Sequence, residues 1–365
     1  MINVENILKK VDWKVLNEYI EQSLIVANKH PEYDLWILNY SPKVQAKRIW
    51  DEYTSACRGL VIDSEGKIYG RPFKKFKNFE EYDESEIPTD LDFDVFEKMD
   101  GSLIIVFYYE PYKEWIVASR GSFISEQSEV ANKLLDKTIL PRLKKNCTYL
   151  FEVIYPENRI VVDYGARREL VLLTRVNNKT GGEPFYDEMV EQYSKYFTIV
   201  KRLEIKTLAD LLKYKELNKD NEEGAVSRFS NGFRMKSKFE EYVRLHGILT
   251  NVSNLTVWEH MMNGFDFDEL IDRVPDEFYA WLNKTIAKIQ YDYNEIERLA
   301  LKEFVRIVHV NEITDRKLFA DHVKASRYSS ILFKMYDSRS YSKIIWKMIR
   351  PVYSKPFSHG YEILP

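Results

Sequence analysis

The alternation of apolar and polar positions gives the chain two parts of different character. Up to about residue 240, short apolar runs with a two-residue period alternate with a few helical patterns, which indicates a mixture of strands and helices. Beyond residue 239, glycine becomes rare and apolar positions recur every three to four residues, as in residues 286–301, which predicts α-helices. We therefore expect an α+β fold, with a mixed domain over residues 1–242 and an all-helical domain over residues 243–365.

The mixed part contains several segments whose apolar content or alternation predicts strands. They are residues 60–62, 93–96, 103–109, 115–118, 148–155, 169–176, 224–228 and 233–239. Helical periodicity is found in residues 125–140, 188–196 and 207–214. Between Glu80 and Asp94 inclusive the chain carries eight carboxylates, and we interpret this acidic stretch as a solvated loop.

A candidate nucleophile lies between two predicted strands, in the tetrapeptide Lys98-Met99-Asp100-Gly101. A free lysine has a pKa of about 10.4 and is almost wholly protonated at neutral pH. It can attack an electrophile only where its surroundings disfavour the ammonium form. Gly101 would permit a tight turn that presents the amine. Because the tetrapeptide is short, it is weak evidence for a nucleophilic lysine unless the segments that follow support it.

One downstream strand carries a single carboxylate among apolar residues. The two-residue period of a strand places Glu152 on the same face as Leu150 and Ile154. A buried carboxylate with such neighbours needs a specific partner. The alternative is an edge-strand glutamate that faces solvent, and we favour the buried position.

Further charged residues follow at the next predicted strands. Glu223-Gly224 leads into one strand, and Lys236 and Lys238 stand two residues apart on the next. Residues two apart on a strand point to the same face, so the two ammonium groups would lie side by side. Taken alone, the two lysines fit an ordinary solvated face, and it is their order after Lys98 and Glu152 that makes them candidates for a site.

In order and spacing these segments resemble the motifs of covalent nucleotidyltransferases, which are polynucleotide ligases and messenger-RNA capping enzymes. Residues 98–101 are similar to motif I, 151–152 to motif III, 170–175 to motif IIIa, 223–224 to motif IV and 236–238 to motif V. The upstream segments 57–60 and 71–78, and the continuation of motif V through Tyr242, are typical of the phage-type RNA ligase 1 family. The helical C-terminal part also resembles that family, since DNA ligases and capping enzymes carry an OB-fold there.

The resemblance implies a nucleotidyltransferase domain of antiparallel sheets and the reaction of an ATP-dependent RNA ligase. A lysyl-AMP would form with Mg²⁺, or Mn²⁺, the AMP would pass to an RNA 5′-phosphate, and a 3′-hydroxyl would then displace it. The residues implied are the nucleophile Lys98, the phosphate-facing Lys236 and Lys238, Glu223 beside the metal, Glu152 at the ribose, Arg58 at the ribose or phosphates, Lys75 at the β- and γ-phosphates, and Arg120 where lysine is expected. The neighbouring lysines and the metal are expected to lower the pKa of the nucleophile.

Composition limits the classes of partner. The net charge is −3, so RNA contacts would come from local basic patches. Two cysteines are too few for a disulfide framework and fit a reducing cytosol, and no apolar stretch reaches membrane length. By the resemblance we expect a cytoplasmic monomer, in a bacterial host cytosol if phage-encoded. It would seal nicked tRNA or single-stranded RNA ends in RNA repair, alongside a separate end-healing kinase/phosphatase.

Two groups of charged residues in the helical part each allow a functional and a purely structural interpretation. Lys343 and Lys347 lie four residues apart amid aromatic residues, and they either contact RNA or form a solvated helix face. Asp266 and Asp268, with Glu269, either hold a divalent ion or mark an acidic helix start.

Two other functions are kept as alternatives for the whole chain. One is an mRNA-capping-type guanylyltransferase, and the other is a catalytically silent RNA-binding protein. The presence of Lys98, Glu223, Lys236 and Lys238 argues against the loss of chemistry. An aromatic or aliphatic partner for adenine is also expected, with no single position singled out among 20 Phe and 25 Tyr.

Overall fold

The computed structural model describes residue 2 and residues 8–264, 267, 276–310 and 312–354. The chain divides into two compact units, Met1–Arg244 and Leu245–Pro365. The first unit combines sheets and helices, and the described part of the second is helical. The expected α+β fold class is therefore confirmed.

The described elements follow one another in chain order. The strands are β1 Ile25–Lys29, β2 Trp36–Tyr40, β3 Arg58–Ile62, β4 Ile68–Gly70, β5 Phe93–Glu97, β6 Ser102–Tyr109, β7 Glu114–Ser119, β8 Cys147–Ile154, β9 Glu169–Asn177, β10 Thr198–Ile199, β11 Arg202–Leu203, β12 Gly224–Phe229 and β13 Arg234–Lys238. The α-helices are α1 Trp13–Glu21, α2 Pro42–Lys47, α3 Glu52–Ala56, α4 Glu126–Leu134, α5 Tyr186–Tyr193, α6 Leu208–Glu216, α7 Glu240–Asn251, α8 Asn254–Asn263, α9 Asp276–Val305, α10 Arg316–Val323, α11 Ser329–Tyr336 and α12 Ser342–Met348.

The strands form three sheets. Sheet A has the order β1-β2-β3-β4, sheet B the order β10-β9-β8-β6-β7, and sheet C the order β11-β5-β12-β13. Neighbouring strands pair antiparallel, except for the parallel pair of β10 and β9. Strand β9 lies inside its sheet, as its low polar content predicts.

Sheet B is covered on both faces, which explains its strongly apolar strands. On one face, Ile105 and Phe107 of β6 pack in a common cluster with Ile37 and Val61 of sheet A. On the other face, Phe151 of β8 packs in a cluster that includes residues of α4 and α5. A strand with two buried faces reads as a continuous apolar run instead of an alternating one.

The chain crosses from sheet C to sheet B at the candidate nucleophile. Strand β5 of sheet C ends at Glu97 and strand β6 of sheet B begins at Ser102, so residues 98–101 form the crossing. Phe96, Met99 and Ile154 belong to one buried cluster at this point. The crossing is therefore held between two packed sheets.

The second unit is built around the long helix α9. Its buried residues include Leu282, Ile289 and Ile296, spaced seven apart as expected for one face of a helix. Ile296 packs in a cluster with Ile331 of α11 and Ile345 of α12. No helix in the described residues is both long enough and apolar enough to cross a membrane.

Three local differences from the sequence-based expectations have simple causes. The helix expected over residues 125–140 ends at Leu134, because Asp136 caps a new 3₁₀ turn by accepting from the amide of Thr138. The acidic stretch is not solvated throughout, since Asp94 lies in β5 and its carboxylate pairs with Arg228 at 3.1 Å. The strands β1, β2 and β4 of sheet A had no clear signal in the apolar pattern.

Candidate active site

The backbone of Lys98 is held in place by a hydrogen bond of its own. Its amide donates to the carbonyl oxygen of Gly224 at 3.0 Å, which joins the crossing to the start of β12. Gly224 has a φ of +135°, and a Cβ there would lie 2.1 Å from the carbonyl oxygen of Ser237. The Glu-Gly step therefore needs glycine so that β12 and β13 can pair while Glu223 turns toward Lys98.

Asp100, two residues after the candidate nucleophile, acts as a structural clamp. Its side chain is 3% exposed, and one carboxylate oxygen accepts from the amides of Val161 and Val162 at 2.8 Å each. The other oxygen accepts from the hydroxyl of Tyr242 at 2.7 Å. The clamp joins three segments that are distant in sequence, and the pattern around Lys98 did not reveal it.

Gly101 is required for a different reason from the one expected. Its φ is not positive, so the expectation of a turn that depends on glycine's backbone freedom is wrong. A Cβ at this position would lie 2.5 Å from the carbonyl oxygen of Val153 and 3.0 Å from the Cγ of Glu152. Close contact with β8 is therefore what demands glycine, and the amide of Gly101 donates to Glu152 Oε1 at 3.1 Å.

The carboxylate of Glu223 lies between two lysines. Its Oε2 is 2.7 Å from Nζ of Lys98, and its Oε1 is 2.7 Å from Nζ of Lys238. The Glu223 side chain is 3% exposed, whereas each lysine side chain is 22% exposed. Burial alone would raise the pKa of Glu223, but Lys98 and Lys238 outweigh it and hold that pKa below its ordinary value. The carboxylate is therefore ionised at neutral pH.

The pKa of Lys98 is shifted in the opposite direction from the lowering that the sequence predicts. Burial by itself favours the neutral amine, yet the carboxylates of Glu223 and Glu152 outweigh burial and raise the pKa of Lys98. The expected lowering of this pKa by Lys236 and Lys238 is therefore wrong for the protein side chains alone. The physical reason is distance, since the nearest charge to the ammonium group is a carboxylate.

Glu152 is partly buried on β8 and faces the crossing. Burial raises its pKa to about 7, with Lys98 opposing this shift and Glu223 adding to it. The sequence placed Glu152 on an inward face with a specific partner. Here the amide of Gly101 donates to Glu152, and the charges of Lys98, Arg58, Glu223 and Asp100 act on it.

Lys236 and Lys238 share one face of β13, as their spacing predicts. The alternating residues Met235 and Ser237 are buried on the other face. Unlike Lys238, Lys236 forms no ion pair with any carboxylate in the described part of the chain. Burial and the cations of Lys238, Lys75, Lys98 and Arg58 together lower the pKa of Lys236 to about 7. The solvated-face interpretation does not fit a lysine in this environment.

A second group of cations and rings adjoins Lys236. Burial and the neighbouring Arg120 lower the pKa of Arg58, whose Nη1 atom is buried without a hydrogen-bond partner among the described residues. Nζ of Lys75 lies 5.0 Å from the ring centre of Trp50 and 5.8 Å from that of Tyr40. The Arg120 guanidinium also lies 5.8 Å from the Tyr40 ring. Tyr40 and Trp50 carried no sequence signal.

The structure therefore brings most of the candidate residues into one neighbourhood. Contacts or shared electrostatics link Lys98, Glu223, Lys238, Glu152, Lys236, Lys75, Arg58 and Arg120. The candidate metal ligands Asp266 and Asp268 lie outside the described residues. Within the described residues no group of three or more His, Cys, Asp or Glu side chains could hold a metal ion.

The donor set beside Lys98 nevertheless suits a magnesium ion that also binds phosphate. Mg²⁺ in such sites uses one or two carboxylates and completes its shell with water and substrate oxygens. Glu223 and Glu152 supply two carboxylates around Lys98. A cluster of three protein ligands is not needed for an ion held in this way.

The sequence matches a known family over more than half its length. Residues 56–243 match the family model described as RNA ligase. The chain is 26% identical over 275 residues to the "Putative bifunctional polynucleotide kinase/RNA ligase" of Autographa californica nuclear polyhedrosis virus, covering 67% of this chain and 38% of the relative. It is also 26% identical over 175 residues to an RNA ligase of Rhodothermus phage RM378, covering 36% of this chain and 39% of that one.

The chain thus spans about two fifths of the length of these two relatives. Among solved structures, it is similar to an archaeal ATP-dependent RNA ligase with a TM-score of 0.46 and 13% sequence identity, over 76% of each chain.

The lowered pKa of Lys236 predicts proton uptake when a polyphosphate binds. At a pH of about 8, a lysine with a pKa of about 7 is mostly neutral, and a nearby phosphate raises that pKa by favouring the ammonium form. Pyrophosphate binding should therefore take up a proton at about pH 8 and much less at about pH 6, where Lys236 is already charged. Calorimetry in buffers of different ionisation enthalpy measures this uptake. Lys236→Ala should lose it and the exposed-lysine control Lys206→Ala should keep it; uptake that is equal in both would contradict the assignment.

The Asp100 clamp predicts that the Tyr242 hydroxyl stabilises the fold. Tyr242→Phe removes the donor to a buried carboxylate, and the free energy of unfolding should fall by about 1–3 kcal/mol. Urea denaturation measures the change. Tyr291→Phe is the matched control because the Tyr291 side chain is 67% exposed. Equal stability of the two variants would show that the hydroxyl contributes nothing.

Proposed function

The chain belongs to the phage RNA ligase 1 family, and on that premise we propose that it is an ATP-dependent RNA ligase that joins a 5′-phosphate to a 3′-hydroxyl. The observation that carries the proposal is the buried Glu223 carboxylate, which holds Lys98 and Lys238 at 2.7 Å each. It sets a candidate nucleophile beside a group of cations that suits a polyphosphate.

In the first step, Nζ of Lys98 attacks the α-phosphorus of ATP. The ammonium group first gives one proton to solvent. The P–N bond then forms, the P–O bond to pyrophosphate breaks, and a second proton leaves the nitrogen for solvent as the phosphoramidate forms. Because Glu223 and Glu152 raise the pKa of Lys98, the ion pair with Glu223 must weaken before the amine can attack. Mg²⁺, when bound, supplies positive charge that neutralises Glu223 and the phosphate oxygens.

The remaining cations have distinct roles in holding the nucleotide. Lys238 and Lys236 offset the negative charge that develops on the α-phosphate, an interaction worth roughly 3–4 kcal/mol per donor in comparable sites. The unpartnered Nη1 of Arg58 supports a contact with a ribose or phosphate oxygen. Lys75 is assigned to the β- and γ-phosphates, and Glu152 to a ribose hydroxyl.

Two further transfers complete the sealing reaction. An oxygen of the RNA 5′-phosphate attacks the lysyl-AMP, so that the P–N bond breaks and an RNA-adenylate forms. The 3′-hydroxyl of the second end then attacks the 5′-phosphorus, and AMP leaves. RNA ends with other termini must first be converted by a kinase and a phosphatase. The relative from Autographa californica nuclear polyhedrosis virus, a putative bifunctional polynucleotide kinase/RNA ligase, supports this pairing of activities.

The helical part of the chain, residues 243–365, is assigned to the choice of RNA. Each residue given a role with ATP lies before residue 242, so no part of the chemistry is left to the later residues. Lys343 and Lys347 of α12 are exposed, while Ile345 between them is buried. Two cations on one exposed helix face suit contact with the phosphates of a structured RNA such as a nicked tRNA.

The assignment of Lys98 predicts complete loss of self-adenylylation in Lys98→Ala. The change removes the only atom that forms the P–N bond, so the denatured protein should retain no label from ATP labelled at the α-phosphate. The exposed-lysine control Lys206→Ala should label as the wild type does. Sealing of RNA that has been adenylylated beforehand should survive in Lys98→Ala, because that step does not use the lysine as nucleophile.

The outcomes separate the competing functions. Labelling of the wild type by GTP but not by ATP would place it with the capping-type guanylyltransferases. A wild type that binds RNA and is labelled by neither nucleotide would be a catalytically silent RNA-binding protein. Normal labelling of Lys98→Ala would remove Lys98 from the reaction.

The assignment of the helical part predicts a change in substrate preference. Lys343→Ala/Lys347→Ala should lower the ratio of nicked-tRNA sealing to linear-RNA sealing and leave self-adenylylation unchanged. Lys284→Ala/Lys288→Ala is the matched control, since these two lysines are also exposed, four residues apart, on α9. The measurement is the sealing rate on each RNA. An equal ratio in both double variants would leave α12 as a structural helix only.

A further inference from the structure

A groove in the first unit extends well beyond the residues assigned to ATP, of which only Lys75 belongs to its lining. It encloses about 1320 Å³ and runs along the extended segment 71–76, beside α3 and the turns at 179–181 and 231–234. Small-molecule pockets usually measure about 300–1,000 Å³. The groove is therefore larger than a site for a nucleotide alone requires, and its volume leaves room for several units of a polymer.

The groove carries a positive surface. Its lining includes six basic side chains and three acidic ones, a difference of three charges. One of the acids, Glu183, is buried and paired with Arg234 of the same lining, so these two charges offset each other and the difference of three remains. Lys9 and Lys179 are exposed cations at the groove, and neither is among the residues assigned to ATP.

Aromatic rings line the same groove. Phe76 and Phe233 are partly exposed and both contribute to the lining. The Phe233 ring packs against Tyr82 with centroids 5.0 Å apart, which holds it in place. A basic groove with aromatic side chains is the arrangement that binds single-stranded nucleic acid, because the cations meet phosphates and the rings stack on bases.

The groove is continuous with the candidate active site through Lys75. Lys75 lines the groove, and its charge also helps to lower the pKa of Lys236. The backbone carbonyl of Lys77, just beyond the groove segment, accepts from the amide of Lys236 at 3.2 Å. A chain lying in the groove would therefore end beside the cations that surround Lys98.

We propose that this groove binds a single-stranded segment of the RNA substrate, with Lys9 and Lys179 on its phosphates, and leads that strand toward Lys98. The inference rests on the proposed ligase function and adds to it a binding surface within the first unit, separate from the cations of α12.

The test uses the full chain and a short single-stranded RNA with a 3′-hydroxyl and no 5′-phosphate. Binding is measured by fluorescence anisotropy over a series of KCl concentrations, without ATP. For single strands, each phosphate contact contributes about 0.7 to the slope of log K against log salt. Lys9→Ala/Lys179→Ala should therefore reduce the magnitude of that slope by about 1.4, and each single variant by about 0.7.

The control removes the same charge elsewhere. Lys133→Ala/Lys206→Ala takes away two exposed lysines that do not line the groove, and its slope should equal that of the wild type. Self-adenylylation should be unchanged in both double variants. Circular dichroism checks the fold, and the single variant Lys179→Ala, in an exposed turn, gives an independent reading if the double variant is destabilised.

The outcomes distinguish this inference from the proposed function. Wild-type protein that is labelled by ATP and seals RNA, together with equal slopes in the groove and control variants, would overturn the groove assignment alone. A groove variant that needs more ATP for half-maximal labelling, with an unchanged RNA slope, would also overturn the groove assignment and would indicate that the groove binds the nucleotide instead. Absence of labelling in the wild type would instead count against the ligase function.

Discussion

The site depends on one buried carboxylate that two lysines share. Glu223 is 3% exposed and contacts Lys98 and Lys238 at 2.7 Å each. A buried ion is strongly destabilising without its partner, by about 3–5 kcal/mol in comparable pairs, so the three groups define each other's positions. The same contact keeps Lys98 in its ammonium form, because the carboxylates raise its pKa. The arrangement that orients the proposed nucleophile thus also restrains it, and its attack would require a change of charge at Glu223.

Each of the four residues that cross between the sheets has a different role. Lys98 carries the nitrogen that we propose as the nucleophile, Asp100 fixes the crossing through three hydrogen bonds, and Gly101 leaves room for β8. Met99 is 6% exposed and packs in the cluster between the sheets. A lysine held on such a crossing can keep its position when its own ion pair weakens, because the backbone is secured by contacts that do not involve Glu223.

The sequence predicts those features of the fold and site that depend on residues close together along the chain. The strand pattern gave β5 to β9, β12 and β13 to within a few residues, and a spacing of two placed Lys236 and Lys238 on one face. It could not give the Asp100 clamp, since Asp100 and Tyr242 are 142 residues apart and the motif segments that contain them carry no sign that the two side chains meet. The predicted lowering of the Lys98 pKa was wrong in direction. A sequence gives no distances between charges, and the charge nearest to the amine decides whether its pKa rises or falls.

The crowding of cations explains why the site suits a polyanion and little else. Each of Arg58, Lys75, Lys98 and Lys238 disfavours charge on Lys236, whose pKa is lowered to about 7. Without an anion, the site reduces this repulsion by holding fewer protons; with a polyphosphate, it can hold all of them. The free energy of nucleotide binding therefore includes the relief of repulsion already present in the folded protein. Because Lys75 belongs both to this cluster and to the adjoining groove, an RNA strand bound in the groove as proposed would relieve part of the same repulsion.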